Sequence, residues 1–166
     1  MPETAAETRD IMPFVTWTPQ LSVGFQPLDN DHKLLISLIN QLHSAVEDGE
    51  DRDTVGSVLN ALNDYTEYHF EREEMLMRVC GYPDMESHRK VHDALKARVK
   101  NIHDDYAKSE NKDLSKDVLD FMKVWLTEHI QGRDKLYQHS MDGKNQEIEA
   151  ANQAYLNKLE KELSEN

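Results

Sequence analysis

The sequence holds a single cysteine, Cys80, among its 166 residues. An internal disulfide is thereby excluded, and a thiolate metal site has too few sulfurs. No apolar run approaches the ~20 residues that a membrane-spanning helix requires. Basic residues are scarce beside acidic ones, 19 against 32, and the formal net charge is −13. Nucleic acid, whose phosphates demand a basic footprint, is therefore not an expected partner. An anionic membrane surface is disfavoured for the same reason. The opening MPETAAETRD has neither the basic start nor the apolar stretch of a secretion signal, so a cytoplasmic protein is expected. Internal repeats and low-complexity tracts are also lacking. The length suits one domain with a sizeable core.

What is present is helical hydrophobic periodicity in successive stretches. Residues 1–20 read as an extended N-terminal arm, because Pro2, Pro13, Pro19 and the run Phe14, Val15, Trp17 oppose a regular helix. Trp17 and Phe25 read as aromatics that pin the arm to the body. A first helix is expected to open near Asp29, after Pro27, with Leu35, Leu38, Ile39, Leu42 and Val46 on one stripe, and to end before Gly49. A second, capped by Asp53, carries Val55, Leu59, Leu62 and Tyr65 and stops at Gly81 and Pro83. A third opens around Asp84 and carries Val91, Leu95, Val99, Ile102 and Tyr106. A polar loop over 108–113 leads to a fourth with Val118, Phe121, Met122 and Trp125, interrupted by Gly132. The fold expected over residues 21–142 is all-α, an antiparallel up-down-up-down four-helix bundle. Residues 143–166 read as an amphipathic C-terminal helical extension on Ile148, Tyr155, Leu156, Leu159 and Leu163. Packing back onto the bundle, self-association and partner docking all stay open for it.

The histidines do not fall at random. His32 lies on the first helix, His69 and Glu73 on the second, His88 and His92 on the third, His129 and Asp134 on the fourth. Residues four apart stack on one helix face, about 6 Å along the axis, so His69/Glu73 and His88/His92 can each reach one centre. His129 and Asp134 are five apart, which an ideal helix does not align; Asp134 must reach round, or the helix is distorted where Gly132 tolerates it. A lone histidine on an apolar face is ordinarily a core residue, and His43, His103 and His139 are left as surface or supporting side chains. A full set on four successive helices is another matter. Five imidazoles and two carboxylates in an apolar core are costly without a cation. Seven ligands are too many for one ion and suit two, and carboxylate-bridged iron or manganese pairs are common in bundle cores, whereas zinc favours a closed set of four.

Several stretches resemble the bacterial hemerythrins: WTPQLSVGF from Trp17 to Phe25, DHKLL at 31–35, HFEREE at 69–74, GYP at 81–83, HRKVH at 88–92 and WLTEHIQGRD at 125–134. The resemblance spans roughly residues 15–140. It implies two non-haem iron ions cycling between ferrous and ferric, with His88, His92 and His129 on one and His32 and His69 on the other. Glu73 and Asp134 would bridge them beside an oxo or hydroxo group. The second iron would keep one open position, where dioxygen binds. Leu35, Phe70, Trp125, Leu126 and Ile130 are candidates for a dry pocket lining, and Tyr137 resembles a tyrosine found near the site in that family.

The function so implied is reversible dioxygen binding, for storage, delivery or sensing, without catalysis. The competing class is a di-iron oxidase, peroxidase or nitric-oxide-consuming enzyme. No acid-base residue stands beside the open position, and a histidine-rich shell favours binding over turnover. Iron storage would call for a cage-forming assembly, and signalling for a fused output domain. An oxygen-requiring client protein remains open as a partner.

Overall fold

Four helices wrap one apolar core: α1 (Gln26–Glu47), α2 (Arg52–Cys80), α3 (Met85–Lys108) and α4 (Lys116–His129). The computed structural model describes residues 12–109, 114 and 116–165. The part of the expected arm over residues 1–11, and residues 110–113 of the expected loop, lie outside them. α4 continues through a π turn (Ile130–Asp134) into α5 (Lys135–Met141), and α6 (Asn145–Ser164) follows. No strand occurs among the described residues. The chain forms the expected antiparallel bundle, with α2 packed against α1 and α3, and α1 against α4. No helix among the described residues is long and apolar enough to cross a membrane.

The bundle forms because each helix turns one stripe inward. Leu28, Leu35, Ile39 and Leu42 of α1 meet Leu59, Leu62, Phe70 and Leu76 of α2 in a core that also takes Met122 and Leu126 of α4. Arg52, at the start of α2, donates to the last carbonyls of α3, those of Tyr106 and Ala107, at 2.7 and 2.8 Å. These bonds join the start of α2 to the end of α3.

Two helix starts differ from expectation. α1 opens at Gln26, not near Asp29, because Pro27 fits the first turn, where no N–H is needed. Asp29 instead accepts from the Val23 N–H at 2.8 Å and the Ser22 hydroxyl at 2.6 Å, fastening the preceding loop. The cap of α2 is Asp51, not Asp53: its carboxylate accepts from the Thr54 N–H at 2.8 Å. The interruption of the fourth helix at Gly132 takes the form of a π turn that follows α4 without a break in the winding. A Cβ there would meet nothing within 4 Å, and the chain passes through it inside the π turn.

Residues 12–25 lie over the α1/α4 seam. Asn40 of α1 takes the place of a backbone strand, accepting from the Val15 N–H at 2.7 Å and donating to its carbonyl at 2.8 Å. Phe14 stacks on His43, with ring centres 4.2 Å apart, and Lys123 of α4 covers its other side. Trp17 and Phe25 pack on the core as expected. α6 lies along α2 and buries Ile148, Asn152 and Tyr155, whereas Leu163, expected on its apolar stripe, is 79% exposed.

Gly81 ends α2 at φ +71°, a left-handed conformation that turns the chain toward α3. An L side chain there costs about 1–2 kcal/mol. Gly81→Ala is expected to lower the unfolding free energy by that much, seen in equilibrium urea unfolding as a lower midpoint with the slope unchanged.

Candidate metal centre

Each bundle helix contributes to one buried polar cluster, and its backbone geometry decides which atoms arrive. α2 brings His69 and Glu73 one turn apart, and α3 does the same for His88 and His92. His32 enters from the second turn of α1. The last pair is brought together by the π turn, whose wider winding stacks residues five apart. His129 and Asp134 thereby face one another, Nε2 to Oδ1, at 3.0 Å. A straight α-helix would have carried Asp134 away.

The seven side chains are all buried. They form two groups whose potential ligand atoms lie within 4.8 Å of one another. One contains Glu73, His88, His92, His129 and Asp134; the other contains His32, His69, Glu73 and Asp134. Both groups include the same two carboxylates. Asp134 turns Oδ1 to His88 and His129, each at 3.0 Å, and Oδ2 to His32 at 3.2 Å. Oε2 of Glu73 lies 3.2 Å from His92 and 3.6 Å from His69. Its Oε1 accepts a hydrogen bond from the buried Tyr137 hydroxyl.

These contacts fit cations better than hydrogen bonds. His32 Nε2, His88 Nε2, Glu73 Oε2 and both oxygens of Asp134 are buried with no hydrogen-bonded partner, although opposite charges stand close. Atoms this near without donor–acceptor alignment point at a shared centre. Adjacent ligands of an ion with bonds of about 2.1 Å stand about 3 Å apart, which is the spacing seen. His92 and His129 also face each other through Nε2 at 3.1 Å, two nitrogens that a metal would satisfy together.

Charge in the cluster follows the same logic. Burial would raise the Glu73 carboxyl, and Asp134 adds to that, but His69 and His92 outweigh both and bring it down to about 2. Asp134 is held well below the carboxylate range against its burial by His129, His32 and His88. Burial would lower the His92 imidazole, yet Glu73 and Glu74 raise it to about 9. Two ionised carboxylates thus demand positive charge at their centre. Protonated rings supply it in part; bound cations supply it with the rings neutral.

A second layer of residues, not singled out from the sequence, orients the rings. Asp31 accepts from His69 Nδ1 at 3.2 Å, and Glu74 from His92 Nδ1 at 2.9 Å. An ionised carboxylate only accepts, so Nδ1 carries the proton and Nε2 keeps its lone pair for the cluster. Arg72 braces Asp31 at 3.0 Å. Asp31 and Glu74 each stand one residue from a candidate ligand, but adjacency on a helix gives no sign of which acid turns inward. Phe70 stacks on His92, ring centres 3.9 Å apart and planes within 9°, and approaches Trp125 edge-on. Leu35, Leu126 and Ile130 are buried with them. His43, His103 and His139 stay outside: His43 lies under Phe14, His103 bonds Asn60 and Asp104, and the His139 side chain is 96% exposed.

Residues 23–139 match the family model of the hemerythrin HHE cation binding domain. A bacteriohemerythrin of Stenotrophomonas maltophilia is 33% identical over 126 residues, 76% of this chain and 80% of that one. Another, from Methylococcus capsulatus, is 34% identical over 129 residues, 76% and 95% of the two chains. A myohemerythrin of Theromyzon tessulatum is 27% identical over 121 residues, 73% of this chain and 88% of that one. Among solved structures, a wild-type hemerythrin superposes with a TM-score of 0.73 at 30% identity, covering 78% of this chain and 99% of that chain.

The charges of the cluster set a pH profile for the metal-free protein. The Glu73 contribution is present above its ordinary value of 4.5 and lost as pH falls toward about 2. That of His92 is complete below 6.5 and lost as pH rises toward about 9. Chelator-treated protein is therefore expected to unfold at its highest temperature between about pH 4.5 and 6.5, by calorimetry. Metal-loaded protein is expected to keep its stability above that range, since binding takes the neutral rings, and to release metal on acidification.

Proposed function

The chain belongs to the hemerythrin family, and we propose that it binds dioxygen reversibly at two iron ions held by these seven side chains. The observation that carries the reading is the sharing of Glu73 and Asp134 by two ligand groups with unequal numbers of imidazoles. His88, His92 and His129 would hold one ion, and His32 and His69 the other. With both carboxylates shared, the first ion receives five protein ligands and the second four. A bridging oxo or hydroxo group would then complete the first at six and leave the second one position short. When bound, the iron pair supplies the electrons by which dioxygen is held and then given back.

The remaining work falls to the protein. Asp31 and Glu74 keep the protons of His69 and His92 on Nδ1, so that Nε2 faces inward. The Tyr137 hydroxyl stays on Glu73; burial first, then the charges of Glu73 and Asp134, push its pKa well above the ordinary tyrosine value. It holds the bridging carboxylate and is a poor proton source at neutral pH, which favours binding over turnover. Phe70, Trp125, Leu126, Leu35 and Ile130 exclude water that would compete for the open position. Storage, delivery and sensing of oxygen all fit such a reversible site.

His88→Ala is expected to abolish stoichiometric iron, and His103→Ala to leave two irons per chain, by metal analysis. Equal losses would refute the ligand set. Ferrous protein admitted to oxygen is expected to gain a visible absorption band that disappears on purging with argon. Irreversible bleaching within one cycle would favour an oxidative enzyme.

A further inference from the structure

α6 lies beyond residues 23–139, the extent of the family match, yet it reaches the candidate metal centre through a line of buried polar groups. Asn152 is 3% exposed on the inner face of α6, between Ile148 and Tyr155. An apolar residue would serve packing better at that position, and asparagine is a poor helix former. Its Oδ1 accepts from Arg72 Nε at 2.8 Å. Arg72 Nη1 donates to both oxygens of Asp31, at 3.0 and 3.1 Å, and to the Tyr68 hydroxyl at 3.2 Å. Asp31 in turn accepts from His69 Nδ1 at 3.2 Å, with its other oxygen also held by the Tyr65 hydroxyl at 2.8 Å.

We propose that Asn152 is a positioning residue for the metal centre: through Arg72 and Asp31, α6 sets the orientation of the His69 ring. The inference rests on the reading of His69 as a ligand. Arginine has donors and no acceptor, so only an oxygen on α6 can hold its Nε. With Nε engaged, the plane of the guanidinium is fixed and Nη1 is aimed at Asp31. With Nε unmet in a buried setting, the group swings toward other partners and Asp31 loses its brace. The effect falls on one ion only, because the line ends on His69 and bypasses His88, His92 and His129.

The experiment follows iron release from two-iron protein into a ferrous chelator, which reads metal retention and not oxygen binding. In Asn152→Leu, similar in size but without the acceptor, one iron per chain is expected to leave about tenfold faster than in the original chain, the other at an unchanged rate. Asn152→Asp keeps an oxygen for Arg72 and is expected to restore the original release. Tyr155→Phe removes the α6 hydrogen bond to Glu71 but leaves the line intact, and is expected to release both irons normally. Unchanged release in Asn152→Leu, equal acceleration of both irons, failure of Asn152→Asp to restore, or acceleration in Tyr155→Phe would each overturn the proposal. Failure of the original chain to take up two irons would instead overturn the di-iron reading on which it stands.

Discussion

Two ionised carboxylates lie together in the apolar centre of this bundle, and the surrounding structure is arranged about the charge they carry. Like charges so close and so deeply buried repel, and each has lost its hydration. Five imidazoles surround them, contributed by every helix of the bundle. Outside the cluster, Asp31 stands behind His69 and Glu74 behind His92. Glu73 and Asp134 remain ionised because the rings favour that state, and the rings in turn await a cation or a proton. The centre is thus a cage for positive charge, and a pair of metal ions is the occupant we propose, one that would satisfy all seven at once.

Local backbone geometry makes the cage possible. Regular α-helix serves wherever the candidate ligands lie four apart, as in α2 and α3. The π turn after α4 serves the pair that lies five apart, and it lets Asp134 present one oxygen to each group of rings. π turns cost hydrogen-bond quality and are found mostly where function requires them. Around the cage the polar supports and the apolar walls divide the labour. Asp31, Glu74 and Tyr137 fix atoms, whereas Phe70, Trp125 and Leu126 remove water from beside them. The peripheral segments share the same organisation: residues 12–25 close the α1/α4 seam through Asn40, and α6 covers α2 while sending Asn152 into the polar network.

Much of this was readable in the residues themselves. Hydrophobic stripes at helical spacing specify four helices, and His69/Glu73 and His88/His92 stand out as candidate ligands because a four-residue separation puts both side chains on one helix face. Helix ends were less legible: Pro27 reads as a barrier and acts as a first-turn residue, and Asp51 and Asp53 are equally good caps on paper. Gly132 drew attention as a break, but the distortion needs no space that only glycine leaves. Asp31, Arg72, Glu74 and Asn152 carry no mark of their own among 32 acidic residues and a charge-rich final helix. Leu163 belongs to the apolar stripe by spacing yet is left 79% exposed.

The sequence by itself determined the residue types and their intervals, hence an all-helical bundle with imidazoles and carboxylates on its inner faces, since periodicity is a property of the chain. Only the tertiary structure decided which oxygen of Asp134 meets which ring, which acid stands behind each imidazole, and that the last helix joins the network. Those matters depend on the rotation and offset of helices distant in sequence, set by how their side chains interlock, and no interval along the chain encodes them.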